Sequence, residues 1–331
     1  MRELTVMAYN IENMRQMFAG DELLPEQRPR AQELAAEIAA AAPHLLGIVE
    51  ASDRREHHEA FLRLPPLADL GYEILQGQRR RGRQDLVLYY RHPLVPQHVD
   101  DAYGYYEDWQ EDIDHDGIVE VCGFERRPLE VEFGLAGSEA RLRVILVATK
   151  SKGVFSVQDL LGHQYRALAN RKRLMAQCKK LRRRADDLLA RDPGAAFLLF
   201  GDFNDDPGLD SYERMMGESG LETVVGSVFE PEKILHDALY HLTAGGKEIW
   251  TATYPDKIVD NHLPHRAWLD HILLSPGLLG GDGLLGYQRN SGEIGPEHLP
   301  APGTPAVSDH RSVRCRLTLA DSAGEQAPPT E

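Results

Sequence analysis

In the stretch Phe197-Leu198-Leu199-Phe200-Gly201-Asp202-Phe203-Asn204-Asp205-Asp206-Pro207-Gly208, an apolar run ends abruptly in a loop dense with carboxylates. The run lacks polar alternation, which predicts a strand buried on both faces that delivers polar groups to a sheet edge. Gly201 permits a close backbone approach, and Pro207-Gly208 imposes a turn. An Asx-turn closing the strand explains a lone Gly-Asp-x-Asn equally well. The pattern recurs, however. Leu4 to Tyr9 reads as a strand ending in Asn10-Ile11-Glu12-Asn13, and Leu45 to Val49 as a buried strand ending in Glu50. Trp268 to Ser275 is a strand containing Asp270, and Val307-Ser308-Asp309-His310 precedes the alternating strand Val313 to Leu319.

Helical spacing appears between these strands. Pro29 opens a helix with Leu34, Ile38 and Ala41 on one face, which Pro43 stops. Asp53 is placed to cap a helix reaching about Leu64. Tyr72 to Leu75 and Asp85 to Tyr90 are further strands, and Arg127 to Phe133 forms a hairpin with Arg141 to Ala148. A long helix from Val157 to Ala190 carries Leu161, Leu168, Leu174, Cys178, Leu181, Ala185 and Leu188 at three-four spacing. Its basic outer face reads as mostly solvated, with the first turns able to face the mouth at Asp202. The Gly- and Pro-rich span 276–305 is either ordered by packing or not ordered, and the polar tail 320–331 is expected to be disordered.

Composition adds limits. With 331 residues, 42% hydrophobic, the chain can bury a large core, and its formal charge of −15 disfavours nonspecific attraction to nucleic acid or an anionic membrane. Cys122, Cys178 and Cys315 are too few and too scattered for a disulfide framework or zinc knuckle, which fits a reducing compartment. Met1-Arg2-Glu3 leads straight into a β-like segment and no apolar stretch nears the roughly 18 residues of a membrane span. The expected location is therefore cytoplasmic.

Two charged segments have double readings. Arg79-Arg80-Arg81-Gly82-Arg83 is a solvated loop or a phosphate clamp. From Asp100 to Glu120 nine of 21 residues are acidic and none is Lys or Arg, so an insertion, about 96–124, is expected on a compact scaffold. Within it Asp112, Asp114 and Asp116 precede Gly117 as in the first half of a calcium loop, but the position of the bidentate Glu is Gly123. Structural Ca²⁺ and a plain acidic turn both remain open there. The adjacent His57-His58 reads as a helix-surface pair rather than a zinc ligand set.

Collected, the strand ends present Asn10, Glu50, Asp202, Asn204, Asp270, Asp309 and His310. Oxygen ligands of this kind suit a hard cation, Mg²⁺ or Mn²⁺. No Gly-x-Ser-x-Gly elbow and no phosphate-cradling Gly-Lys-Ser/Thr loop occurs.

The segments Asn10-Ile11, Val49-Glu50, Gly201-Asp202-Phe203-Asn204-Asp205, Leu269-Asp270-His271 and Ser308-Asp309-His310, in this order, resemble the endonuclease/exonuclease/phosphatase family. Asp85 to Arg91, Arg127-Pro128-Leu129 and Lys150-Ser151-Lys152 also resemble family strands and phosphate-side loops. The resemblance implies a single domain over 1–319, built as a four-layer αββα sandwich of two mostly antiparallel sheets flanked by helices. It implies a phosphodiesterase or phosphatase that works by in-line attack of water, with Glu50, Asn10 and Asp309 holding the metal. Asp202 and Asn204 would align the water, and Asp270 would orient His310 at a non-bridging oxygen. Arg127, Lys150 and Arg166 are the expected phosphate contacts. The substrate is then a small phosphoester, a lipid head group or a nucleic acid. The alternatives are a DNA or RNA endonuclease of the same fold and a binding module with weakened catalysis. One position departs: where the family carries His or Tyr, this chain has Ala148 before Thr149-Lys150-Ser151. Ala148 cannot donate a proton, and Lys150, Arg166, Tyr165 or His163 are the candidates to replace it.

Overall fold

The computed structural model describes residues 2–77, 84–99, 104–113, 116–154, 157, 159–255, 264–280, 283–298 and 306–320. The Arg79 to Arg83 run, Asp114 and the tail from 321 lie outside the described residues.

Two sheets carry the fold. The first has seven strands in the order Leu285–Tyr287, Val313–Leu319, Arg2–Asn10, Leu45–Ser52, Gln84–Tyr90 and Glu73–Gln76, with Glu293–Ile294 also pairing on Val313–Leu319. The second runs His236–Asp237, Asp270–Leu274, Phe197–Asp202, Arg141–Ala148, Leu129–Leu135 and Leu94–Val99. Arg2–Asn10 beside Leu45–Ser52 and Arg141–Ala148 beside Phe197–Asp202 are parallel; the other pairings are antiparallel.

Alternate residues of the apolar strands face two different cores, which is why the sequence shows unbroken apolar runs. Leu4, Val6, Ala8, Leu45 and Leu88 meet Val144, Leu146, Leu198, Phe200 and Ile272 between the sheets. Met7, Tyr9, Leu46 and Ile48 pack outward on Leu34, Ile38 and Phe61 of helices α1 (Arg28–Ala41) and α2 (Arg55–Leu62). On the opposite side, Ile145, Val147, Leu199 and Leu273 pack on Leu174, Cys178, Leu181 and Ala185 of α3 (Leu160–Arg191). The result is the expected helix–sheet–sheet–helix sandwich. Gly47 marks a close approach of the two sheets, because an added Cβ would lie 2.5 Å from Leu146 Cδ1 of the facing sheet.

Several local expectations change. Helix α2 begins at Arg55, and Asp53 does not cap it because its carboxylate pairs with Arg15. Ser52 Oγ instead accepts the Arg54 amide at 3.2 Å. His57 and His58 are buried, not on the surface, and each is satisfied on both ring nitrogens. Helix α3 starts at Leu160, where the Asp159 side chain accepts from Gly162 N at 2.7 Å. Its basic face is also less solvated than its composition implies. The hairpin of Trp109–Glu111 and Glu120–Cys122 lies along it, with Ile113 and Cys122 against Met175 and Ala176, and Lys172 and Arg183 reach Glu120 (3.2 Å) and Glu111 (2.5 Å). Buried Arg184 donates to Glu130 Oε1 at 2.5 Å. The described part of 276–305 is ordered by pairing Leu285–Tyr287 and Glu293–Ile294 on the last strand.

Candidate functional site

The site forms where the ends of the two sheets meet. Asp202 is the last residue of its strand, in register with Ala148 on one side and Asp270 on the other. His310 bridges Ala252 just before the final strand, and one ligand atom each from Asp202, Asp270 and His310 lies within 4.8 Å of the others. The first sheet contributes Asn10, whose Nδ2 donates to Asp202 Oδ2 at 3.1 Å. Ser308 Oγ donates to the Asn10 carbonyl at 2.7 Å and accepts the His310 amide at 3.1 Å, tying the end of Arg2–Asn10 to the turn that carries His310. The buried Arg30 guanidinium closes the rear by donating to the carbonyls of Ile11 (2.7 Å), Val307 (2.9 Å) and Glu12.

Backbone strain concentrates at this edge. Glu50 has φ 57° at an irregularity between Ile48 and Ala51, and Asn204 has φ 49°. Left-handed non-glycine residues cost about 1–3 kcal/mol each and persist where surrounding contacts hold them. Glu50 Oε2 is held by the Asn13 amide at 2.9 Å and Gln84 Nε2 at 2.6 Å, and Gln84 is itself held by Arg126. Asn204 gives its amide to Asp202 Oδ1 at 2.8 Å and its Nδ2 to the Thr149 carbonyl at 3.1 Å. Gly201, at φ 127°, has no alternative, since a Cβ there would lie 2.3 Å from Val147 O.

The charges perturb one another strongly. Burial pushes the Asp202 carboxyl up to about 6, with His310 opposing and Asp270 adding to the rise. Burial opposes charge on His310, yet Asp270, Asp202 and Asp309 raise its imidazolium to about 10. Asp309 and Glu12 are both raised, first by desolvation in the cleft; repulsion from Asp309 acts next on Glu12, and Glu50 adds to the rise of Asp309. Asp270 Oδ2 accepts from His310 Nδ1 at 2.7 Å, while its buried Oδ1 has no hydrogen-bond partner among the described residues.

Not every expected residue joins the cluster. Lys150 Nζ pairs with Glu125 at 3.2 Å, and Arg127 lies 3.7 Å from Glu107, its buried Nε without a partner among the described residues. Arg166 and Tyr165 are exposed on the first turns of α3, whereas His163 is buried, its Nδ1 without a partner among the described residues. Asp112 closes its own turn by accepting the amides of Asp116 (3.1 Å) and Gly117 (3.0 Å). Sequence reasoning gave no role to Glu12 beside Asp309, although it quoted the segment, and passed over Gln84 and Arg126. No motif signals those two. Nor did it separate Lys152, which pairs with Asp205, Glu213 (2.7 Å) and Asp210 (3.5 Å) and so pins the loop after Asp202.

A family model described as the Endonuclease/Exonuclease/phosphatase family matches residues 7–310. The chain belongs to this family. Similar solved structures include truncated TDP2 from Caenorhabditis elegans, at 14% identity and TM-score 0.55, covering 96% of this chain and 98% of that one. The human nocturnin catalytic domain with bound sulfate matches at 17% identity and TM-score 0.53, covering 96% and 95%. TDP2 from D. rerio complexed with single-strand DNA product matches at 13% and 0.51, covering 96% and 99%. These likenesses establish the shared fold. No curated protein is similar enough in sequence to count as a relative.

Endonuclease/exonuclease/phosphatase enzymes are divalent-metal-dependent phosphoesterases. The residues here fit such an ion. Asp202 and Asp270 converge with His310 within 4.8 Å, Glu50 and Asp270 both act on the adjacent Asp309, and one buried carboxylate oxygen, Asp270 Oδ1, lacks a donor among the described residues. An oxygen-rich donor set of this kind suits a small hard cation.

Proposed function

We propose that the protein hydrolyses a phosphodiester or phosphomonoester by in-line attack of water, with Mg²⁺ or Mn²⁺. The observation that carries this reading is the buried Asp270–His310 pair set beside Asp202, with Asn10 and Asn204 bonded to the same Asp202 carboxylate. A bound divalent ion supplies charge neutralisation at the phosphoryl oxygens. Glu50, Asn10 and Asp309, which line the first-sheet side of the cleft, would hold it. Asp202 accepts the proton of the attacking water, and Asn204 holds that water against the phosphate. His310, kept in one orientation by Asp270, donates to a non-bridging oxygen on which charge develops. Phosphate contacts from Arg127, Lys150 and Arg166 form upon substrate entry, as Lys150 is occupied by Glu125 until then.

Cleavage of plasmid or single-stranded DNA is the second reading, favoured by the D. rerio TDP2 complex with its single-strand DNA product. The charge of −15 and the acidic hairpin weigh against a long polyanion. The deciding experiment assays plasmid, single-stranded DNA, sphingomyelin, inositol phosphates and bis-p-nitrophenyl phosphate, each with Mg²⁺ and with chelator. Metal-dependent turnover of at least one, with Glu50→Gln raising the Mg²⁺ requirement, is expected. Turnover that survives chelation refutes the reading, and none on any substrate leaves a binding module.

A further inference from the structure

A cavity of about 760 Å³ opens beside Glu50. Its wall includes Asn13 and Gln84, the two residues that donate to Glu50 Oε2, so its inner end adjoins the proposed metal ligand. Arg15 and Arg54 supply the other side, and Phe18, stacked on His57 at 4.2 Å, supplies a flank. Among the described residues no Asp or Glu lines it, and the carboxylates that pair with its two arginines, Asp53, Asp21 and Glu56, lie outside the lining. The volume falls in the range of about 300–1,000 Å³ typical of small-molecule sites.

Arg15 is placed rather than loose. Asp53, whose side chain is only 8% exposed, holds Nη1 of Arg15, whose own side chain is 31% exposed. Nε and Nη2 of Arg15 make no hydrogen bond among the described residues. Arg54 pairs through Nη2 with Asp21 at the rim, where both side chains are exposed. A guanidinium fixed by a carboxylate has little orientational freedom left to lose, and its remaining donors match the oxygens of a phosphate.

We propose that this cavity is a subsite for a second anionic group of the substrate, a phosphate or its equivalent, lying beyond the phosphate that is cleaved. The preferred substrate is then a small phosphoester carrying at least two phosphates. This deepens the phosphoesterase reading and rests on it for the identity of the first phosphate.

The test compares adenosine 3′,5′-bisphosphate with adenosine 5′-monophosphate, and fructose 1,6-bisphosphate with fructose 6-phosphate. A kcat/KM higher by tenfold or more for the bisphosphate is expected in the nucleotide pair or in both. A preference confined to nucleotides assigns the cavity a nucleoside as well, and one shared by the sugars assigns it the phosphate alone. Arg15→Gln combined with Arg54→Gln should cut the preference by roughly tenfold, and the Lys replacements, which keep the charge and the fold, should restore part of it. An undiminished preference in the Gln variant, or none in wild type, overturns the subsite. Calorimetric titration of Asp202→Asn protein separates the two readings. Tighter binding of the bisphosphate, lost with the Gln pair, supports the subsite even if no ester is hydrolysed, an outcome that removes only the phosphoesterase reading. Equal binding of both ligands removes the subsite even if hydrolysis is seen.

Discussion

His310 donates from Nδ1 to Asp270 Oδ2 at 2.7 Å, and its Nε2 lies 4.0 Å from Asp309 Oδ1, so the two ring nitrogens have separate duties. His310→Ala should lower turnover by about 10² or more, the scale for losing one preorganised group where charge develops. Asp270→Asn should do the same with little change in KM, because an amide can donate to Nδ1 and hold the wrong tautomer. Steady-state kinetics of either variant at near wild-type rate would sink the assignment.

The register of Ala148 beside Asp202 leaves a methyl group where the family places a proton donor. Leaving groups that depart as alkoxides should therefore react much more slowly than phenolates. Ala148→His should recover more rate on the poor leaving groups than on the good ones. A series of phosphodiesters graded by leaving-group pKa, assayed on both proteins, measures this. A flat dependence in wild type, with Ala148→His changing all substrates alike, would show that chemistry is not rate-limiting or that another residue already fills the role, and Lys150→Ala and Tyr165→Phe in the same series would tell which.

Burial lowers the His58 pKa to about 4. Its Nε2 donates to the Ser52 carbonyl and its Nδ1 accepts from Tyr89, so the folded state holds the neutral ring. The unfolded chain takes up this proton below about pH 6.5 and the folded protein only near pH 4, so stability falls as pH drops through that window. The difference is on the order of 3 kcal/mol. His58→Gln should flatten the pH dependence of unfolding between pH 6.5 and 4, measured by urea titration against wild type. An unchanged slope would show that His58 is already charged in the fold.

Ca²⁺ bound by Asp112, Asp114 and Asp116 should raise the melting temperature of wild type and not of Asp114→Ala, since a ligand of the folded state stabilises it by mass action. An equal response in both proteins returns the segment to an acidic turn whose Asp112 merely accepts its neighbours' amides.

The sandwich was legible because each central strand is apolar on both faces, and the candidate cluster was legible in so far as Asp202 ends one strand and Asp270 begins the antiparallel strand beside it. What the sequence hid depends on partners distant along the chain. Asp53 resembles a helix cap until Arg15 is found beside it. His57 and His58 resemble surface residues until Gly20, Ser52 and Tyr89 are seen to satisfy all four ring nitrogens. The basic face of α3 resembles a solvated face until the acidic hairpin covers it, and Gln84 gains its role only from a Glu50 some 34 residues away.

The placement of Val313–Leu319 between Arg2–Asn10 and Leu285–Tyr287 has a consequence for biosynthesis. As the chain leaves the ribosome, Arg2–Asn10 emerges long before Val313–Leu319 and must wait for it before its second edge is paired. Until then it presents an open, apolar border of the kind that invites pairing with other chains. Asp309 and His310 arrive in the same late segment, so a chain cut short before Asp309 has neither a closed first sheet nor the complete candidate cluster.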